Sequence, residues 1–160
     1  MEYRVGIGYD AHRFGEKRPL ILGGVTVPHD KGLVGHSDAD VLCHAVSDAV
    51  LGAAALGDMG RYFPDTDPKW KGADSLGILR ECGRLALAKG WKVVNVDASV
   101  ICQKPKLAPY MVPMSQMIGE ALGVGPDEVN VKAKTTEGMG FEGREEGISV
   151  KAVVLLGKNS

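Results

Sequence analysis

The sequence predicts an α+β fold: a mixed sheet with helices packed on one face and the other face buried against another subunit. Three observations predict it. The periodicities run strands, helices, strand, helix, strands. No composition break marks a linker and no segment repeats, so residues 1–160 read as one domain. The last strand has a wholly apolar row, Ile148, Val150, Ala152, Val154 and Leu156. Its opposite row, Ser149, Lys151, Val153 and Leu155, is still half apolar. A sheet covered on one side only should be more polar on its second face.

The elements follow in order. Tyr3 to Tyr9 reads as a strand, with Val5 and Ile7 alternating against glycines. Leu20 to Val27 reads as a short hairpin turning at Gly23-Gly24. Ser37 suits the N-cap of a helix running to about Leu56, with Asp38 and Asp40 in its first turn. Gly57 to Trp70, rich in Gly, Asp and Pro, reads as a surface loop of the kind that carries function. Asp74 or Ser75 caps a second helix ending near Lys89-Gly90. Trp91 to Gln103 alternates as a long strand. Pro105, Pro109 and Pro113 punctuate the start of a third helix that ends near Leu122. Val129 to Thr135 and Ile148 to Leu156 complete the strands.

Composition narrows the function classes. A hydrophobic content of 44% and a charged content of 24% are those of an ordinary globular protein with a real core. A net charge of −1 gives no electrostatic footprint for nucleic acid or an acidic membrane. Any polyanionic ligand must be held by bound metals, helix N-termini and a few local cations. Cys43, Cys82 and Cys102 are odd in number and unpaired in spacing, which points to a reducing compartment. The first residues lack the pattern of a secretory signal, and no apolar run reaches membrane-spanning length. The expected location is the cytoplasm of a bacterium, or an organelle stroma after processing.

The chain has four histidines, and three of them fall in Asp10-Ala-His12 and His36-Ser-Asp-Ala-Asp-Val-Leu-Cys-His44. Asp10 and His12, two apart on a strand, share a face. His44 follows Asp40 by four and His36 by eight, which is helical spacing. One aspartate and two imidazoles from a strand and a facing helix would suit a zinc-like ion. Three protein ligands leave a position for substrate, where a structural zinc would take four. The same residues read equally well as polar caps and buried histidines, because spacing does not show that the segments meet.

A second constellation lies in Val131-Lys-Ala-Lys-Thr-Thr-Glu-Gly-Met-Gly-Phe-Glu-Gly-Arg144, a strand entering a glycine-rich loop. Thr135 and Thr136 offer hydroxyls, Glu137 a carboxylate and Arg144 a guanidinium. One carboxylate together with substrate phosphates is a usual way to hold magnesium. Taken alone, the loop reads more readily as a solvated surface turn. Weaker features read as structural: His29 as a turn residue, Met111, Met114 and Met117 as core, Asp65-Thr-Asp67 as a capped turn. Lys104 and Lys106 flank Pro105 and read as phosphate or base contacts or as solvated charges.

Together, Gly8-Tyr-Asp-Ala-His-Arg-Phe14, Leu22-Gly-Gly24, Gly35 to His44, Gly57 to Asp67, Gln103-Lys-Pro-Lys106 and Thr135 to Arg144 closely resemble the 2-C-methyl-D-erythritol 2,4-cyclodiphosphate synthase family. The motifs cover essentially the whole chain in the right order. The resemblance implies a homotrimer with active sites between neighbouring subunits. It implies a phosphorus–oxygen lyase of the non-mevalonate isoprenoid pathway, which turns 4-diphosphocytidyl-2-C-methyl-D-erythritol 2-phosphate into the cyclic diphosphate and CMP. Residue by residue, it implies zinc or another divalent transition metal on Asp10, His12 and His44, and magnesium or manganese on Glu137 with the substrate diphosphate. His36 and Ser37 match contacts to the erythritol phosphate, and Asp58, Asp65 and Asp67 a flexible loop over the methylerythritol. Cys102, Lys106, Leu107, Ala133 and Thr135 match the cytidine side, supplied by the adjacent subunit, with Thr136 beside the diphosphate. Some members enclose an apolar axial cavity with an arginine ring for an isoprenoid diphosphate. Arg144 makes that feature possible, while Lys151 stands where at least one relative has an acid and leaves that ligand open; Phe141 and Arg144 are also expected among the substrate contacts. Several relatives carry alanine at Cys102 and methionine at Leu107, changes that a base pocket built largely from backbone tolerates.

Overall fold

Two glycines on the first strand decide how the layers meet. The computed structural model describes residues 1–160. Strand β1 (Glu2–Gly15) turns Gly6 and Gly8 toward helix α1 (Val41–Ala53). A Cβ on Gly8 would lie 1.8 Å from the Ala45 carbonyl oxygen, and one on Gly6 would lie 2.1 Å from that of Ala49. Ala45, Ala49 and Ala53 answer the glycines with small side chains, so helix and strand pack almost backbone to backbone. Val5, Ile7 and Tyr9, the other parity of β1, therefore point away from the helix.

After β1 come β2 (Leu20–Leu22), β3 (Val25–Val27) and β4 (Gly32–Leu33). Helix α2 (Met59–Tyr62) and a 3-10 turn (Pro68–Trp70) lead to α3 (Ser75–Ala88). Strand β5 (Lys92–Ile101), α4 (Met111–Leu122), β6 (Val129–Lys134), α5 (Gly140–Gly143) and β7 (Gly147–Lys158) complete the chain. The main sheet has the order β4-β1-β7-β5-β6, and β2 and β3 form a separate hairpin. Only β5 and β6 pair in parallel, so the sheet is mixed, as expected. Helix α1 packs on β1 and β7, α3 packs on α1, and α4 packs on α3 and β6. The inner row of β7, Ile148 to Leu156, is fully buried in one continuous core.

The outer face is uncovered in one chain. Val5 is 69% exposed and Ile7 71%, and Tyr3, Tyr9 and Val153 are exposed beside them. Ile7 lies opposite Val153, and Tyr9 opposite Lys151, whose ammonium sits 5.5 Å from the tyrosine ring centre. An exposed apolar strip of this size is unusual on a free surface, and it matches the half-apolar row read from the sequence. No helix is long and apolar enough to cross a membrane.

Several boundaries differ from the sequence reading. Ser37 does not cap α1; Asp40 does, with Ala39 at φ 59 breaking the chain direction ahead of it. Asp40 is fully buried and its carboxylate accepts from Cys43 N–H at 3.0 Å, Gly23 N–H at 2.9 Å and Gly24 N–H at 2.7 Å. Three amide donors outbid the single hydroxyl bond that Ser37 could have offered. The same carboxylate clips the β2–β3 turn, where Gly23 and Gly24 both take the positive φ that a tight hairpin needs. His36 thus lies ahead of the helix and its helical spacing to His44 was coincidental, whereas the Asp40 carbonyl does accept the first-turn bond from His44 N–H at 3.0 Å. The Gly57–Trp70 segment is not a plain loop: Asp58 caps α2 and Asp67 caps the 3-10 turn. Met114 is buried and Met111 and Met117 are partly buried, as core residues should be. Asp74 caps α3, and Gly90 with φ 87 follows its end.

Candidate metal centre and ligand cavity

Asp10 and His12 sit on the inner parity of β1, and His44 is on the turn of α1 that crosses them. The gathering follows from the glycine contacts, because Gly8 is two residues from Asp10 and Ala45 adjoins His44. Asp10 Oδ2 lies 2.9 Å from His12 Nε2 and 3.2 Å from His44 Nδ1, and the two ring nitrogens are 3.2 Å apart. The sequence could not show that the two segments meet; the structure does.

The His12 tautomer is set by its other nitrogen. Nδ1–H donates to the Val34 carbonyl at 2.9 Å, so Nε2 turns its lone pair to the centre. Burial raises the Asp10 pKa, but bonds to His12 and His44 win and hold it down at about 2. Burial lowers the His12 pKa, but the Asp10 carboxylate overrides it and the net shift is upward. The cluster draws positive charge. Its ligand atoms lie within 4.8 Å of one another, on one carboxylate and two imidazoles. That donor set fits a divalent ion of zinc type, and three ligands leave a coordination position free.

A cavity of about 140 Å³ adjoins the triad, lined by His36, Ser37, Asp65 and Trp70 among others. A neighbouring recess of about 360 Å³ is lined by Asp10, His12, His44, Asp48 and Asp65. Ser37 Oγ is 3.0 Å from His44 Nε2, so relieved of capping it belongs to the site. His36 Nε2–H donates to the Asp67 carbonyl at 3.1 Å, which ties the Gly57–Trp70 segment to the cavity rim. The Asp58 and Asp67 carboxylates accept from Arg61 N–H and Lys69 N–H, so they shape the segment. Asp65 alone of the three lines both cavities.

Sequence reading missed Asp48, Asp38 and Ser75. Asp48 sits one helical turn beyond His44, half-buried, and accepts from Met59 N–H at 2.8 Å. Its i+4 spacing from His44 was a usable signal. Ser75 Oγ lies 2.8 Å from His44 Nε2. The sequence marked it only as a possible helix cap, and nothing there tied it to His44, which lies on a different helix.

The second constellation is assembled at the ends of the parallel pair β5 and β6. Ala133 pairs with Val100, and Cys102 N–H donates to the Lys134 carbonyl at 2.8 Å. The buried Cys102 thiol donates to the Lys104 carbonyl at 3.2 Å, and burial pushes its pKa up to about 12. It is therefore an inert strut for the 102–107 turn, in which Leu107 is buried and Lys106 exposed. Gly138 N–H reaches Gln103 Oε1 at 3.3 Å, joining the two loops. Thr136 Oγ1 donates to the Met139 carbonyl, and Thr135 Oγ1 accepts from Glu137 N–H at 3.3 Å. Glu137 takes φ 54, left-handed for a non-glycine residue, and its carboxylate is exposed. Holding it there costs about 1 kcal/mol, a cost met most often at functional positions. Phe141 lines a further cavity of about 530 Å³ with His12, Arg13 and Lys31, and Arg144 pairs with Glu146.

These two groups share an end of the sheet, and His12 and Phe141 share one cavity, but Cys102, Lys106, Ala133, Thr135, Thr136 and Glu137 line none of these three cavities. β1, β5 and β6 run in one direction, and two to three strand spacings, roughly 10–15 Å, separate them.

The YgbB family profile matches residues 3–157. The 2-C-methyl-D-erythritol 2,4-cyclodiphosphate synthase of Pseudomonas paraeruginosa is 61% identical over 153 residues, covering 96% of this chain and 98% of its own. The bifunctional IspDF of Campylobacter jejuni superposes with a TM-score of 0.95 at 43% identity over 99% of this chain, which spans 43% of that longer protein. The IspF–CDP complex of Plasmodium falciparum superposes at 0.86 with 32% identity, covering 99% of this chain and 97% of its own. Profile, sequence and structure agree along the whole length, and the chain belongs to the YgbB family, among the 2-C-methyl-D-erythritol 2,4-cyclodiphosphate synthases.

Proposed function

We propose that this chain cyclises 4-diphosphocytidyl-2-C-methyl-D-erythritol 2-phosphate to 2-C-methyl-D-erythritol 2,4-cyclodiphosphate with release of CMP. The observation that carries it is the convergence of Asp10, His12 and His44 beside a cavity walled by His36 and Ser37. An oxygen of the 2-phosphate attacks the β-phosphorus. The bond from that phosphorus to the bridging oxygen breaks, and the electron pair leaves with CMP. No water is consumed and no side-chain nucleophile is needed, because the substrate carries its own. The protein's part is positioning and charge neutralisation.

Zinc or a similar ion on Asp10, His12 and His44 would supply Lewis acidity at the β-phosphate. Magnesium or manganese held by Glu137 would supply charge neutralisation for the diphosphate and its leaving group. Ser37 and His36 orient the 2-phosphate, and Asp65 with its loop encloses the methylerythritol. Cys102 to Leu107, Ala133, Thr135 and Thr136 cradle the cytidine diphosphate end. The cytidine cradle and the triad lie apart in one chain, and the β1–β7 outer face is apolar. Both features support a homotrimer in which neighbouring subunits each contribute one half of a site. The lack of a basic patch and the reduced cysteines suit a cytoplasmic or stromal enzyme acting on a small molecule.

The test is phosphorus NMR of the purified protein with substrate and magnesium. A cyclic diphosphate with stoichiometric CMP is expected. CMP with a linear phosphate would replace cyclisation by hydrolysis, and no turnover would overturn the reading.

A further inference from the structure

We infer that Ser75, anchored by Asp38, is a positioning residue that turns the correct ring nitrogen of His44 to the metal and leaves the Ser37 hydroxyl free for the ligand. This rests on the metal reading above. Two hydroxyls face His44 Nε2, Ser75 at 2.8 Å and Ser37 at 3.0 Å. Which of them takes the imidazole proton is decided by what else each touches. Ser75 is fully buried, and its hydroxyl contacts Asp38 Oδ1. A carboxylate can only accept, so Ser75 gives it its single proton. Ser75 Oγ then has only lone pairs to offer His44, and Nε2 must be the donor. Asp38 Oδ2 also accepts Ser75 N–H at 3.0 Å, which fixes the hydroxyl's position independently of the histidine.

The pull is needed because Asp10 Oδ2, 3.2 Å from Nδ1, would draw a proton to the wrong side of the ring. Asp38 acting through Ser75 opposes it from the other side. It does for His44 what the Val34 carbonyl does for His12. Ser37 Oγ already accepts from Ala39 N–H at 3.2 Å. With Nε2–H committed to Ser75, the Ser37 proton has no acceptor nearer than Ser75 Oγ at 3.4 Å and can turn into the cavity it lines.

The test compares zinc affinity and steady-state kinetics of the unaltered protein, Ser75→Ala, Ser75→Thr and Ser37→Ala. Zinc is titrated alone, in competition with a chromophoric chelator. Ser75→Ala should weaken zinc about 10–100-fold. Ser75→Thr, which keeps the hydroxyl, should recover most of that loss. Ser37→Ala should raise KM with zinc affinity unchanged. In the zinc-loaded protein, the His44 Nε2–H proton should be protected from exchange and lose that protection in Ser75→Ala. Should Ser75→Ala not fold, Asp38→Asn serves, since an amide leaves either the Ser75 hydroxyl or its N–H without an acceptor. Zinc affinity of Ser75→Ala within twofold of the unaltered protein would overturn the inference. An unaltered protein without tight zinc would instead fell the metal reading, and this inference with it.

Discussion

Gly8→Ala is the sharpest single test of how the fold makes the site. The new Cβ would start 1.8 Å from the Ala45 carbonyl oxygen, where real Cβ contacts essentially never fall below 3.0 Å. Helix α1 must therefore retreat by at least about 1.2 Å, because the obstacle is backbone that cannot swing aside. Overpacking of this kind costs about 1–3 kcal/mol, and a backbone clash belongs at the upper end. For a chain of this length that is a fall in Tm of about 6–12 °C. The functional loss should be larger than the stability loss. Ala45 adjoins His44, and zinc tolerates ligand distances only within about 0.2 Å. Zinc affinity should drop by more than about 100-fold, and kcat should fall by a similar factor through misplacement alone. Gly52→Ala is the control on the same helix: its Cβ meets nothing nearer than the Ile7 carbonyl at 3.9 Å, so it should stabilise by about 0.5–1 kcal/mol. Thermal melts and chelator competition on both variants decide. A Gly8→Ala protein with unchanged Tm and zinc affinity would refute the claim that this close approach positions the triad.

Other perturbations separate the parts of the site. His44→Ala should fold yet lose tightly bound metal and most activity; full zinc occupancy by metal analysis would remove His44 from the ligand set. Glu137→Gln should keep zinc and weaken the dependence of rate on magnesium, and an unchanged magnesium titration would deny its role. Burial raises the Asp48 pKa against the bond from Met59 N–H, with the Asp58 charge adding to the rise. The folded state thus holds that proton more tightly than the unfolded chain, and stability is lost as pH rises through the raised pKa. Asp48→Asn should raise Tm of the metal-free protein near neutrality by less than about 1 kcal/mol equivalent, given its partial exposure. The gain should shrink as pH falls into the ordinary carboxylate range, and a gain that grows instead would reverse the sign argument. Ile7→Glu, on an exposed position of β1, should leave the single chain folded and zinc-competent while dissociating the oligomer and abolishing turnover; sedimentation showing an intact active trimer would rule out that face as the interface.

Much of this architecture was legible because it depends on local chemistry. The Gly23-Gly24 turn, a cap at Asp74 or Ser75 and the buried row of β7 follow from residue type and period-two alternation alone. The start of α1 was misread because its cap is settled at long range. Ser37 and Asp40 are both good capping residues, and only the folded hairpin, which brings Gly23 N–H and Gly24 N–H onto Asp40, chooses between them. The short helix α2 escaped notice for a related reason: four residues have no periodicity to read, and Asp48, on another element, holds its first amide.

The site divides along the same line. Asp10 and His12 announced themselves by spacing on a strand, whereas their meeting with His44 required Gly6 and Gly8 to admit a helix, a contact no pattern within β1 encodes. Ser75 and Asp38 read in the sequence only as helix-start residues, because Ser75 meets His44, and Asp38 meets Ser75, only in the folded chain. The apolar parity of β1 has the most general consequence. A strand that turns glycines to its helix and Val5, Ile7 and Tyr9 to water has spent its hydrophobic side chains on something outside its own core. The triad near β1 and the residues proposed to hold cytidine at β5 and β6 lie roughly 10–15 Å apart across the sheet in one chain. An interface across that apolar face would answer both observations at once: it would cover the exposed row and, in the function proposed above, bring one chain's cytidine contacts to another chain's Asp10, His12 and His44.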